Sequence, residues 1–254
     1  MNATLLIATN TLRQTIRQRL YLNIGVFGVG MILLSMVVGQ ITFGYPDRVV
    51  RSLGLSGCTL AVDLLALLTA VSLIYEEIDK KTLFVVLTRP VDRWQYVAGR
   101  YLGLLLAVAL ALVGFAVVFL ITLRLAGGTL TSSDLVALLA ILPEAAILGG
   151  FGLVLSAFST PTLSTGIGLG FWMAAATTDD LVGLTANADL PLKLVAKAAY
   201  YVLPSFARLD FRDAAVYQAS VAPAEVGYSL AYGMLYAVGL VALASVILTR
   251  REMV

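Results

Sequence analysis

Residues 101–126 read YLGLLLAVALALVGFAVVFLITLRLA, and Arg124 is the one charge among them. A hydrocarbon core of about 30 Å is crossed by about 20 helical residues, so this stretch is long and apolar enough to span it. Further stretches pass the same test at 21–43, 54–75, 134–158, 162–183 and 227–249. They read as helices, because transmembrane strands are about 10 residues long and alternate in polarity. The sequence therefore predicts an all-α polytopic membrane protein with six transmembrane helices, in one domain covering residues 1–254.

Composition points the same way. Of 254 residues, 60% are hydrophobic and 13% charged, with mean hydropathy +0.94. Soluble domains carry about 25% charged residues. So few polar side chains would leave a water-exposed surface uncovered, whereas in a bilayer the apolar ones face lipid. A formal net charge of +2 gives no nucleic-acid footprint. With no histidine and Cys58 as the single cysteine, an intrachain disulfide is excluded, and metal or haem sites built on these residues are not expected. Cys58 lies in an apolar run and reads as a small buried hydrophobe. The stretch at 21–43 is longer than a signal-peptide core and lacks a small-residue cleavage site, so it is expected to be a retained span.

Ahead of it, residues 1–20 have the pattern of an interfacial helix. Leu5, Ala8, Leu12, Ile16 and Leu20 recur at helical spacing, while Arg13, Gln14, Arg17 and Gln18 lie opposite. Six spans put both termini on one side. If that side is cytoplasmic, it holds Arg13, Arg17, Arg19, Lys80, Lys81, Arg89, Arg93, Arg100, Arg250 and Arg251. The other side holds Arg48, Arg51, Arg124, Lys193, Lys197, Arg208 and Arg212. Four of that second group sit in the long connection 184–226, and short connections count most in the positive-inside rule. Both ends are thus expected inside, with residues 76–100 cytoplasmic and residues 184–226 extracytoplasmic. Within the latter, the apolar piece 190–203 before Pro204 is too short to span.

The cytoplasmic connection carries the most information. It opens Glu76-Glu77-Ile78-Asp79-Lys80-Lys81 and continues through Thr82, Leu83, Leu87, Arg89 and Pro90 to Arg93. Acids early and cations late suit a helix dipole, so a helix is expected to begin near Glu76. Leu83, Val86 and Leu87 give it an apolar face, Pro90 ends it, and a second helix starts near Val91 and feeds span three. Such an amphipathic elbow, joined covalently to two spans, suits a membrane domain driven by a soluble motor.

The pattern Glu77-x-Asp79-x-x-Thr82-Leu83-x-x-x-Leu87-x-x-Pro90-x-x-Arg93, followed by Gly99-Arg100 and a long apolar helix, resembles the membrane subunits of ABC-2 type transporters. Leu203-Pro204-Ser205-Phe206 before the last span and Thr249-Arg250-Arg251-Glu252 at the end fit as well, and the likeness is greatest to the copper-processing and gliding-motility permeases. Lys81 departs from the pattern, standing where that family usually has glycine; a positive-φ turn there would be strained for lysine. The resemblance implies a half-transporter in the bacterial cytoplasmic membrane. A second copy of the chain, making a homodimer, and two ATPase subunits complete it, with membrane lipid around it and a periplasmic partner as a further candidate. ATP and magnesium would be bound by the ATPase, so this chain is not expected to be an enzyme or to hold a cofactor; it has no phosphate-binding Gly-x-x-x-x-Gly-Lys-Ser/Thr loop. Glu77, Asp79, Lys81, Thr82, Leu83, Leu87, Arg89, Pro90 and Arg93 are the implied ATPase-coupling residues, with Thr160 and Pro161 a second contact.

Two acids lie inside spans. An ionised carboxylate at bilayer depth costs roughly 2.5–3.5 kcal/mol, so Asp63 and Glu144 each need a partner or water. They read either as pathway or subunit contacts or as hydrogen-bonded anchors. Gly149, Gly150, Gly152, Gly166, Gly168 and Gly170 read as helix-packing positions rather than nucleotide fingerprints. Tyr228 suits an interfacial belt, and Tyr232 and Tyr236 suit packing against other helices. Two other functions compete with the permease. Paired Glu76-Glu77 is a feature of membrane-embedded CAAX-type proteases, but that chemistry needs histidines to activate water and there are none. A passive membrane scaffold or assembly factor fits the composition, yet has no use for the charged elbow. Cargo is left open among lipids, glycans, small hydrophobic compounds and a maturation factor.

Overall fold

A computed structural model of the chain describes residues 3–42, 44–79, 93–178, 200 and 203–250. Among these there are helices and no strands. The order is α1 (Ala3–Arg17), α2 (Arg19–Ile41), α3 (Pro46–Asp79), α4 (Arg93–Leu125), α5 (Ser132–Ser156), α6 (Pro161–Ala176), a 3₁₀ turn (Phe206–Leu209), α7 (Arg212–Val216) and α8 (Pro223–Arg250). Pro46, Pro161 and Pro223 each open a helix, where a missing N–H costs nothing and the fixed φ is already helical. At the start of α5, Asp134 Oδ2 accepts from the Thr131 N–H at 2.8 Å, the acidic half of a capping box.

Five helices are long and apolar enough to cross a membrane: Arg19–Ile41, Pro46–Leu73, Trp94–Leu125, Ser132–Ser156 and Pro223–Leu248. They match five of the expected spans. The remaining one, 162–183, is described as α6, whose 16 residues rise about 24 Å; residues 179–183 lie outside the described residues. So does the apolar piece 190–203 apart from Tyr200 and Leu203.

Burial separates core helices from lipid-facing ones. Within their apolar windows α3 is 78% and α5 83% buried, against 28% for α2, 33% for α4 and 17% for α8. α3 and α5 are therefore the central pair, and the others wrap it. Cys58 is buried in this core, as its apolar setting suggested. The two central helices run parallel, since Arg51 near the start of α3 meets Asp134 at the start of α5, while Ala70 further along α3 meets Gly152 further along α5.

One expectation about local structure needs correction. The helix expected to begin near Glu76 is instead the end of α3, which continues unbroken to Asp79. No glycine or proline interrupts residues 73–79, so propagation of an existing helix wins over the unfavourable start of a new one. The following helix starts at Arg93, two residues from the expected Val91. In α1 the side that packs on the bundle includes Ala8 but is otherwise set apart from the Leu5–Leu12–Ile16–Leu20 line. Ala8, Thr11 and Thr15 are buried, whereas Leu5 and Leu20 are exposed.

The cause lies on α4. A Cβ on Gly103 would stand 2.5 Å from the Ala8 carbonyl oxygen and 2.5 Å from Thr11 Cβ, and one on Gly99 would stand 2.9 Å from Ile7 Cβ. Glycines four apart let two helix backbones approach closely. Arg100, between them, donates to Gln14 Oε1 at 2.9 Å and Thr11 Oγ1 at 3.3 Å, which fixes the rotation of α1. Gly103→Val should destabilise the chain by about 1–3 kcal/mol through overpacking. In detergent, a thermal unfolding midpoint equal to wild type would show that α1 does not sit in this groove.

Candidate functional site

The two ends of the bundle can be told apart by their contacts. At one end are Asp79 of α3, Arg93 of α4 and the α5–α6 connection at 157–160; α1 lies against the same end of α4. Of the expected coupling residues, Lys81, Thr82, Leu83, Leu87, Arg89 and Pro90 lie outside the described residues. Glu77 and Asp79 belong to the last turn of α3, and Arg93 is the first residue of α4. The two helix ends bracket the segment and place both its attachments at the Asp79 end. Thr160 and Pro161 join them there: Thr160 is exposed at the N-terminus of α6, and Pro161 is its first residue. Phe158, 53% exposed beside them, is a large apolar side chain that the sequence reading passed over.

The opposite end is closed by a buried charge cluster. Arg51 is fully buried, and its fork is spent on three partners. Nε donates to Asp134 Oδ1 at 3.0 Å, Nη1 to Asp47 Oδ2 at 2.8 Å and Nη2 to the Thr129 carbonyl at 2.6 Å. The cluster ties the first turns of α3 and α5 to the α4–α5 connection. In sequence Arg51 was only one of the charges outside the spans.

Between the two ends, the structure brings Asp63 and Glu144 together. Asp63 is buried on α3, and its Oδ2 accepts from Trp172 Nε1 of α6 at 3.0 Å. Glu144 of α5 lies within hydrogen-bond reach of Asp63, and Arg212 and Asp210 are close enough to act on Glu144 electrostatically. The segment 205–216 reaches this network from the Arg51 end. There the Ser205 N–H donates to Tyr232 OH at 3.0 Å, Arg212 Nη1 donates to Ser56 Oγ at 3.2 Å, and Leu209 packs near Gly233. Arg212 Nε donates to Asp210 Oδ1 at 2.8 Å, and Nη2 pairs with Oδ2. Burial alone would raise the Asp210 pKa, but hydrogen bonds and charge from Arg212 outweigh it and hold the carboxyl below its usual range. Arg212 is raised in turn, chiefly by its hydrogen bond to Asp210.

The glycines divide into two kinds. Gly149, Gly150, Gly152 and Gly168 are in contact with other helices, whereas nothing approaches Gly166 or Gly170. Tyr228 is exposed, and Tyr232 and Tyr236 face each other with ring centroids 6.3 Å apart. A mainly apolar groove of about 510 Å³ lies between α2 and α4, lined by Tyr21, Gly25, Val29, Gly114 and Phe115 among others.

A family model described as ABC-2 family transporter protein matches residues 5–253. No curated protein matches the chain.

Proposed function

The chain belongs to the ABC-2 family of transporter proteins and is a permease subunit of an ATP-binding-cassette transporter; from this we propose that a separate ATPase drives it through the segment between α3 and α4. The family match over residues 5–253 carries the reading. The arrangement of helix ends supports the coupling. Two central or adjoining helices, α3 and α4, enter and leave the charged segment at the same end of the bundle, so a displacement there acts on both at once. Thr160 and Pro161 lie at that end too and give the motor a hold on α6, and through Trp172 on Asp63.

In this scheme the Asp79 end faces the cytoplasm of a bacterial cell. Two ATPase subunits bind ATP and magnesium and grip the segment around Glu77, Lys81, Thr82, Arg89 and Arg93. Two copies of the chain form the membrane unit, and closure of the ATPases tilts their helices, exporting cargo or straining an extracytoplasmic partner. The nearest subgroup on sequence pattern is that of the copper-processing and gliding-motility permeases.

Charge reversal tests the coupling. Arg93→Glu is expected to lower both co-purification of the ATPase and vanadate-sensitive ATP hydrolysis by the complex at least tenfold, while the variant alone keeps the wild-type unfolding midpoint. Undiminished binding and hydrolysis would remove Arg93 from the contact. Absence of vanadate-sensitive hydrolysis in the wild-type complex would overturn the coupled-motor scheme itself.

A further inference from the structure

We propose that Asp63 and Glu144 form a proton-binding site in the middle of the bundle, two carboxyls that share one proton between α3 and α5. Asp63 stands near the middle of the 34 residues of α3, and Glu144 near the middle of the 25 residues of α5. Asp63 is buried there, and Glu144 beside it is half-buried.

The hydrogen-bond inventory leads to the proton. Asp63 is 2% exposed; its Oδ2 has the Trp172 indole, but its Oδ1 is buried without a donor. What stands within reach is the Glu144 carboxyl, which, ionised, offers only acceptors. The nearby cation, Arg212, has its Nε and Nη2 on Asp210 and its Nη1 on Ser56, and no hydrogen bond reaches Asp63 Oδ1 from it. Two facing carboxylates in a low dielectric repel, and one proton between them turns the repulsion into a short charge-assisted hydrogen bond. A divalent cation is a poorer occupant: among the described residues no three His, Cys, Asp or Glu side chains are grouped to hold one. The groups facing the pair are Trp172 from α6 and Arg212 and Asp210 from the segment before α8.

The site would tie the permease together in a proton-dependent way. Loaded, it holds α3 to α5 and, through Trp172, to α6. Emptied, the two carboxylates push α3 and α5 apart and draw Arg212 away from Asp210. The proposal concerns the chain alone and stands or falls independently of the ATPase.

The test is infrared spectroscopy of the full chain in lipid nanodiscs at neutral pH. A protonated-carboxyl carbonyl band that shifts in D₂O is expected in the wild type and is expected to vanish in both Asp63→Asn and Glu144→Gln. Carbon-13 labelling of aspartate carboxyls, and separately of glutamate carboxyls, should each move the band in the wild type, a measurement that needs no variant to fold. The proposal is overturned if the wild type lacks the band, if the band survives in either variant, or if only one of the two labels moves it.

Discussion

Replacing Arg51 with methionine is expected to destabilise the chain by about 3–5 kcal/mol, because it removes one partner of a buried ion pair and strands the other. Asp134 has no exposed side-chain surface, and it would keep only the Thr131 N–H as a donor. The Thr129 carbonyl would lose its guanidinium as well. In a chain of this length the loss corresponds to a fall in the unfolding midpoint of roughly 6–20 °C. Thermal unfolding of the purified chain in detergent measures it. The interpretation makes a second, opposite demand. Desolvating these charges costs nearly as much as their attraction returns, so Arg51→Met combined with Asp134→Leu should recover a large part of the loss. If the double variant is as unstable as the single one, packing at Arg51 rather than stranded charge is responsible. If the single variant unfolds within a degree or two of wild type, the cluster contributes no net stability.

The bilayer made the helices legible. Each span must satisfy its own backbone hydrogen bonds, so apolar length alone predicts a helix, and five predicted spans are found as such. Partnership between helices was not legible, because it depends on contacts distant in the chain. Asp63 could be flagged as a carboxylate needing a partner, but Trp172 lies 109 residues away and no local pattern pairs them. Arg212 read as one more charge in an outer connection, whereas it reaches Ser56 on α3. For α1, the periodic apolar line does not say which side meets the bundle. The side that packs was decided by two glycines on another helix, Gly103 against Ala8 and Thr11 and Gly99 against Ile7. The end of α3 is a different kind of miss. The acids Glu76, Glu77 and Asp79 favour a helix N-terminus by charge, but a worth of 0.3–1 kcal/mol per charge, on the order of a typical dipole interaction, does not interrupt a helix already formed. Of the candidate coupling site, the sequence pattern named the residues, while only the positions of Glu77, Asp79, Arg93, Thr160 and Pro161 come from the structure.

The same distinction between local signal and distant contact sets apart two glycines that look alike in sequence. Gly152→Leu is expected to cost about 3 kcal/mol or more, at or beyond the upper end of ordinary overpacking. Gly170→Ala should leave stability unchanged or raise it by about 0.5–1 kcal/mol, the usual gain on replacing an unconstrained helical glycine. A Cβ on Gly152 would lie 2.7 Å from Ala70 Cβ and 3.2 Å from the Leu67 carbonyl oxygen. Neither neighbour can yield by a rotamer change, since one is a methyl fixed to the backbone and the other is backbone itself. Leucine at 152 can therefore be accommodated only by separating α5 from α3, the most buried pair in the bundle. Nothing lies within 4 Å of a Cβ on Gly170. Size-exclusion profiles and unfolding midpoints of the two variants, compared in one detergent, decide the matter. Equal behaviour would mean that α3 and α5 do not meet at Gly152, and the parallel central pair would have to be redrawn. A selective loss in Gly152→Leu fixes that contact, and with it the alignment that sets Asp63 opposite Glu144.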